Sequence, residues 1–144
     1  MRIYLLLIAA FFTLGVQAQS SVLGKWKTID DETNKPKSIV EVYEENGKVY
    51  GKILKLFRGP DEDQDPDCTK CTDDRKNQRI IGMQIIRDMK NHGDYWDDGT
   101  IVDPKNGKVY SCQLTLKNDN ELDVRGYLGF SFIGRSQTWI RVKE

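Results

Sequence analysis

Cys68-Thr69-Lys70-Cys71, with Cys112 farther along, is the group of residues whose types and spacing most readily suggest chemistry. A disulfide closing the surrounding loop suits an oxidising compartment, and the pairing is either Cys68 with Cys71 or one of these with Cys112. Redox catalysis would need the first thiolate at a helix N-terminus after a strand, and no such helix is readable here. A zinc site built from Cys68, Cys71, Cys112 and His92 has an acceptable donor set, but its members are scattered. We therefore expect no metal or cofactor. Asp61, Asp63 and Asp65 alternate as in a calcium loop, yet Pro66 stands where that loop needs glycine and Thr72 where it needs a bidentate glutamate. The sole histidine, His92, lies in a Gly/Asp-rich turn without a nucleophile beside it in sequence, and Asp94, Asp97 and Asp98 around Trp96 read as turn formers.

Aromatic and guanidinium side chains are the better lead. Tyr43, Tyr50, Trp96, Tyr110 and Tyr127 are spread over separate β-rich segments, as are Phe130 and Phe132. Arg125 and Arg141 sit in apolar-rich runs, where an inward guanidinium needs an aromatic, a carboxylate or a ligand anion. Asp103, Arg135 and Gln137 add polar groups that could converge with Tyr127 at the barrel mouth. These nine ligand-contact candidates are Tyr43, Tyr50, Trp96, Asp103, Tyr110, Arg125, Tyr127, Arg135 and Gln137.

The segments that must position them start after an export leader. Met1-Arg2 is positive, Ile3 to Leu14 is nearly all apolar, and Val16-Gln17-Ala18 offers small residues to a signal peptidase, so cleavage is expected after Ala18. An apolar run of about a dozen residues is too short to span a bilayer, and we expect no membrane span in the mature chain. Residues 19–144 then form one domain with 21 basic and 22 acidic residues. That balance supplies no field for nucleic acid. The mature part holds no alanine, since Ala9, Ala10 and Ala18 all belong to the leader, and it is rich in Val, Ile, Tyr and Thr. Such a composition favours strands over helices.

Strands are expected over Gly24–Ile29, Ser38–Glu44, Lys48–Phe57, Gln78–Ile86, Tyr95–Val102, Tyr110–Leu116, Glu121–Tyr127 and Ser131–Val142. Asn46-Gly47 marks a tight hairpin, and Asn106-Gly107 repeats its Asn-Gly-Lys-Val-Tyr context. Tyr110, Cys112, Leu114 and Leu116 alternate with polar residues. About eight strands in hairpin order are expected to close as an all-β, up-and-down antiparallel barrel, whose interior is either packed or holds one small ligand. Arg58 to Asn77 is a long acidic loop, which needs a function or something to tie it down.

Gly24-x-Trp26, together with Trp139-x-Arg141 near the C-terminus, resembles the lipocalin and wider calycin arrangement, in which a last-strand Arg packs across a first-strand Trp. The resemblance implies structural roles for Trp26, Trp139 and Arg141. Gly51-Lys52-Ile53, Cys68-x-x-Cys71, Asp103-Pro104-Lys105-Asn106-Gly107-Lys108-Val109-Tyr110, Leu122-x-Val124-Arg125-Gly126-Tyr127 and Gly134-Arg135-Ser136-Gln137-Thr138-Trp139-Ile140-Arg141 resemble an exported bacterial family, domain of unknown function 2147. Between Met83 and Lys90 the chain departs from the family's form, where a Trp is frequent. The leading expectation is an exported, non-catalytic barrel binding a small apolar or amphipathic molecule or a cell-envelope component. A filled structural module meeting an envelope protein, and an enzyme using Asp103, Tyr127, Arg135 and Gln137, are the alternatives.

Overall fold

The computed structural model describes residues 20–129 and 133–143. The expected leader, Phe130, Phe132 and the expected start of the last strand at Ser131 lie outside the described residues. Eight antiparallel strands, β1 (Gly24–Ile29), β2 (Pro36–Glu45), β3 (Lys48–Leu56), β4 (Gln84–Asn91), β5 (Trp96–Asp103), β6 (Lys108–Asn118), β7 (Glu121–Tyr127) and β8 (Gly134–Arg141), follow one another around a closed barrel. Closure comes where Trp26 and Lys27 pair with Arg141 and Ile140. It leaves no open sheet edge.

Side-chain alternation sets what the barrel encloses. Val40 and Val42, Val49 and Ile53, Cys112 and Leu114, and Leu122 and Val124 are buried at every second position. The intervening positions carry charge on the outer wall, as in the Lys52–Glu41 pair at 3.5 Å and the Lys117–Asp123 pair at 3.9 Å. That is the reverse of a lipid-facing barrel, whose apolar residues point outward.

The Asn46-Gly47 turn has both residues at positive φ, 52° and 78°, the geometry that matches strand twist in a two-residue hairpin. Its echo at Asn106-Gly107 behaves differently. There only Gly107 is left-handed, and a Cβ on it would lie 1.8 Å from the Lys70 carbonyl oxygen. The glycine is needed because the long β3–β4 connection packs directly on this turn.

That connection spans residues 57–83, longer than the expected loop, because β4 begins at Gln84 rather than Gln78. Gln78 to Ile81 have strand composition, but their backbone groups bond inside the connection: Cys68 N–H donates to Gln78 O at 2.8 Å and Ile80 N–H to Pro66 O at 2.9 Å. Polar Arg87-Asp88 then lies within the true strand, with Asp88 at φ 60° marking a bulge that disrupts the expected alternation.

Three devices tie the connection down. Cys68 and Cys71 form a disulfide, leaving Cys112 as a buried free thiol whose pKa burial pushes upward. Arg87 clasps Asp74 through two bonds of 2.8 and 2.9 Å. Arg75, buried, donates to Gln84 O at 3.0 Å and to both carboxylate oxygens of Asp73. The Arg75 guanidinium holds the Asp73 carboxyl down at about 2.

The folded pKa of Asp73 lies below its ordinary 3.8, so its stabilisation is fully present above pH 3.8 and is lost as pH falls toward 2. Discounted for solvent screening at this partly exposed carboxylate, Asp73→Asn should cost about 1 kcal/mol at neutral pH. Urea denaturation should show that gap at pH 7 and most of it gone by pH 2. A gap that persists unchanged at pH 2 contradicts the pairing.

Candidate functional site

Strand direction places four connections at one end of the barrel: β1–β2, β3–β4, β5–β6 and β7–β8. The opposite end is closed. Trp26, fully buried, donates its indole N–H to Val22 O at 2.9 Å, and the Arg141 guanidinium lies 4.2 Å from its ring centroid. Arg141 also donates to Leu23 O at 2.9 Å and Ser21 O at 2.6 Å. A planar, permanently charged group with several donors suits that task, stacking on an aromatic face while it satisfies chain-end carbonyls.

Above this base the lower interior is solid, filled by Val40, Val42, Val49, Met89, Leu114 and Leu122, each at most 1% exposed. The upper half is open. A cavity of about 1220 Å³ reaches down from the mouth, walled by Ile53, Ile85, Ile101 and Val124 and entered past Phe57, Lys37 and Lys70. Ligand pockets are commonly about 300–1000 Å³, so one small molecule fits with room at the mouth. Residues 19–144, about one-third of them hydrophobic, support this space because the mouth is polar and open to water. Only the lower layers need apolar fill.

Of the nine sequence-predicted contact residues, Asp103, Tyr110, Arg135 and Gln137 line the cavity. So does Trp139, the deepest lining residue of β8. Tyr43 and Tyr50 stack on each other at 5.8 Å; their parity is opposite to Val42 and Val49, and they face outward. Tyr50 O–H donates to Asp88 at 3.1 Å. Arg125, one position from inward Val124, donates to Ser136 Oγ at 3.2 Å on the outer wall. Tyr127 donates to Asp97 Oδ1 at 2.7 Å, and that bond raises its pKa to about 12. Trp96 is partly buried against the core below the cavity.

His92 is in the β4–β5 turn at the base end, stacked on Tyr95 at 5.1 Å and 2.8 Å from an Asp98 oxygen. It is thus far along the barrel from Cys68 and Cys71, whose sulfurs are joined to each other. Among the described residues no three His, Cys, Asp or Glu side chains gather closely enough to hold a metal.

The residue that sequence reasoning missed is Asp31. From the β1–β2 loop its Oδ2 accepts bonds from the Arg135 guanidinium and from Gln137 Nε2, the latter at 2.9 Å. Trp139 Nε1 lies 3.3 Å from Gln137 Oε1. An indole N–H can only donate, so it fixes the amide with its oxygen inward and its NH₂ toward the carboxylate. Arg135 is 69% exposed and Asp31 34%. Exposed pairs of this kind are worth about 0–1 kcal/mol, so the carboxylate is held loosely.

The family model for uncharacterized proteins conserved in bacteria, DUF2147, matches residues 24–141, which is the whole barrel. The chain belongs to the DUF2147 family. No curated protein matches it. Among solved structures, this DUF2147 chain is similar to protein HP1028 from the human pathogen Helicobacter pylori, described as belonging to the lipocalin family. Their identity is 19%, covering 88% of this chain and 86% of that one, with a TM-score of 0.75. The likeness concerns the fold: a closed antiparallel barrel of lipocalin type. Asp103 to Tyr110 and Gly134 to Arg141, two of the stretches by which this chain resembles DUF2147, supply one mouth turn and the β8 wall of the cavity.

Proposed function

We propose that this DUF2147 protein is an exported, non-catalytic barrel that holds one small apolar or amphipathic molecule in the upper half of its interior. The observation that carries the reading is the contrast between a solid lower half and an open, apolar-walled upper half reached through a polar mouth. A barrel of this size is also the architecture in which lipocalins enclose a ligand. Export is supported by the signal-like pattern of residues 1–18 and is compatible with the Cys68–Cys71 disulfide, a bond that persists in oxidising compartments. No described helix is long and apolar enough to cross a membrane.

The protein recovered from its own host should release one class of small molecule on native mass spectrometry. After extraction it should bind N-phenyl-1-naphthylamine saturably, with about one site per chain and a low-micromolar dissociation constant. Linear, non-saturable fluorescence together with an empty native spectrum would overturn the reading.

A further inference from the structure

The cavity wall already holds a carboxylate. Residues 135 and 137 of β8 both face inward, and their two donors converge on one oxygen of Asp31. The amide is preset by Trp139 below it. A guanidinium and a preset amide converging on one oxygen make a carboxylate site, since charged, forked donors match that group's planar geometry. The carboxylate that fills it belongs to an exposed loop, Asp31 to Asn34, and not to the barrel wall.

Charge at the rim favours the same ligand sign. Lys35, Lys37, Lys70 and Lys105 line the mouth. Against these four lysines stand the carboxylates of Asp30, Asp67 and Asp103, so basic groups lead by one once the Arg58–Glu62 and Arg135–Asp31 pairs are set aside. Below the head site the walls turn apolar toward Ile53, Ile101 and Val124.

We propose that Arg135 and Gln137 bind the carboxylate of a single-chain amphiphile whose tail lies in the cavity, and that Asp31 is the internal carboxylate this head displaces. The inference rests on the receptor reading above and names its ligand class. Asp31 thereby sets affinity: it occupies the head site when the cavity is empty and swings out with its loop when ligand arrives. Because the exchange is one carboxylate for another, neither Arg135 nor Gln137 is left unpaired in either state.

Displacement of bound N-phenyl-1-naphthylamine by dodecanoate and by dodecanol separates head from tail. Dodecanoate should compete about tenfold better than dodecanol in the parent protein. Asp31→Asn should improve dodecanoate about threefold, and Arg135→Gln should weaken it about tenfold, while both leave dodecanol within about twofold. Arg135→Lys should retain part of the preference, and unchanged melting curves confirm that these exposed substitutions leave the barrel intact. Equal competition by the two compounds, or a loss of dodecanoate affinity in Asp31→Asn, overturns the head site while leaving the receptor reading standing. Failure of N-phenyl-1-naphthylamine itself to bind overturns the receptor reading, and this inference with it.

Discussion

Trp26→Ala should lower the melting temperature by roughly 10–20 °C, corresponding to a loss of about 3–5 kcal/mol for a buried Trp in a domain of this size. The side chain is fully buried at the barrel base, so its removal leaves a cavity among layers that are otherwise packed. It also removes the face on which Arg141 rests at 4.2 Å, and with it the link by which β8 and the chain ends close on β1. Trp26→Phe keeps an aromatic face but drops the indole N–H bond to Val22 O, so its loss should be smaller, about 1–2 kcal/mol. Calorimetry on the three proteins checks the order. A Trp26→Ala protein that melts within about 2 °C of the parent would mean that the base does not hold the barrel shut.

Gly126→Phe should abolish ligand binding while leaving the fold intact. Gly126 lies on the inner wall of β7, and a Cβ built there meets Tyr110 and Ile101 only at 3.6–3.8 Å, ordinary contact distances. Glycine weakens a strand interior, so a β-favouring aromatic costs the sheet little while its ring fills the space a tail would use. Affinity for N-phenyl-1-naphthylamine, dodecanoate and dodecanol should fall together, by more than about tenfold, which is about 1.4 kcal/mol. The common loss distinguishes a plugged cavity from the Arg135 variant, which should discriminate by head group. Undiminished binding of all three compounds would place the ligand elsewhere.

The barrel was legible in the chain because most strands carry a clean two-residue alternation and because the ends carry Gly24-x-Trp26 and Trp139-x-Arg141. Tyr110, Cys112 and Leu114 read as one face and form one face. The cavity was legible only along β6, β8 and the Asp103 turn. Tyr43 and Tyr127 are aromatic, but their parity against Val42 and Val124 puts them outside, and composition alone does not weigh parity. Asp31 escaped because nothing local distinguishes it within the polar stretch Asp30–Lys37. Its role depends on the closed barrel bringing it to residues more than 100 positions away. β4 was misplaced for a related reason: Ile80 and Ile81 look like strand, yet their neighbours' backbone groups are bonded within the β3–β4 connection.

Ligand sign and the displaced aspartate both hang on one claim, that the open upper half of the barrel is the ligand site. The most direct measurement is an isotope-filtered NMR experiment on the protein loaded with carbon-13 dodecanoate. Cross-peaks are expected from the ligand's chain to the methyl groups of Ile53, Ile85, Ile101 and Val124, four of the apolar residues that line the cavity. Cross-peaks confined to the outer wall, at Tyr43 and Tyr50, would contradict that claim.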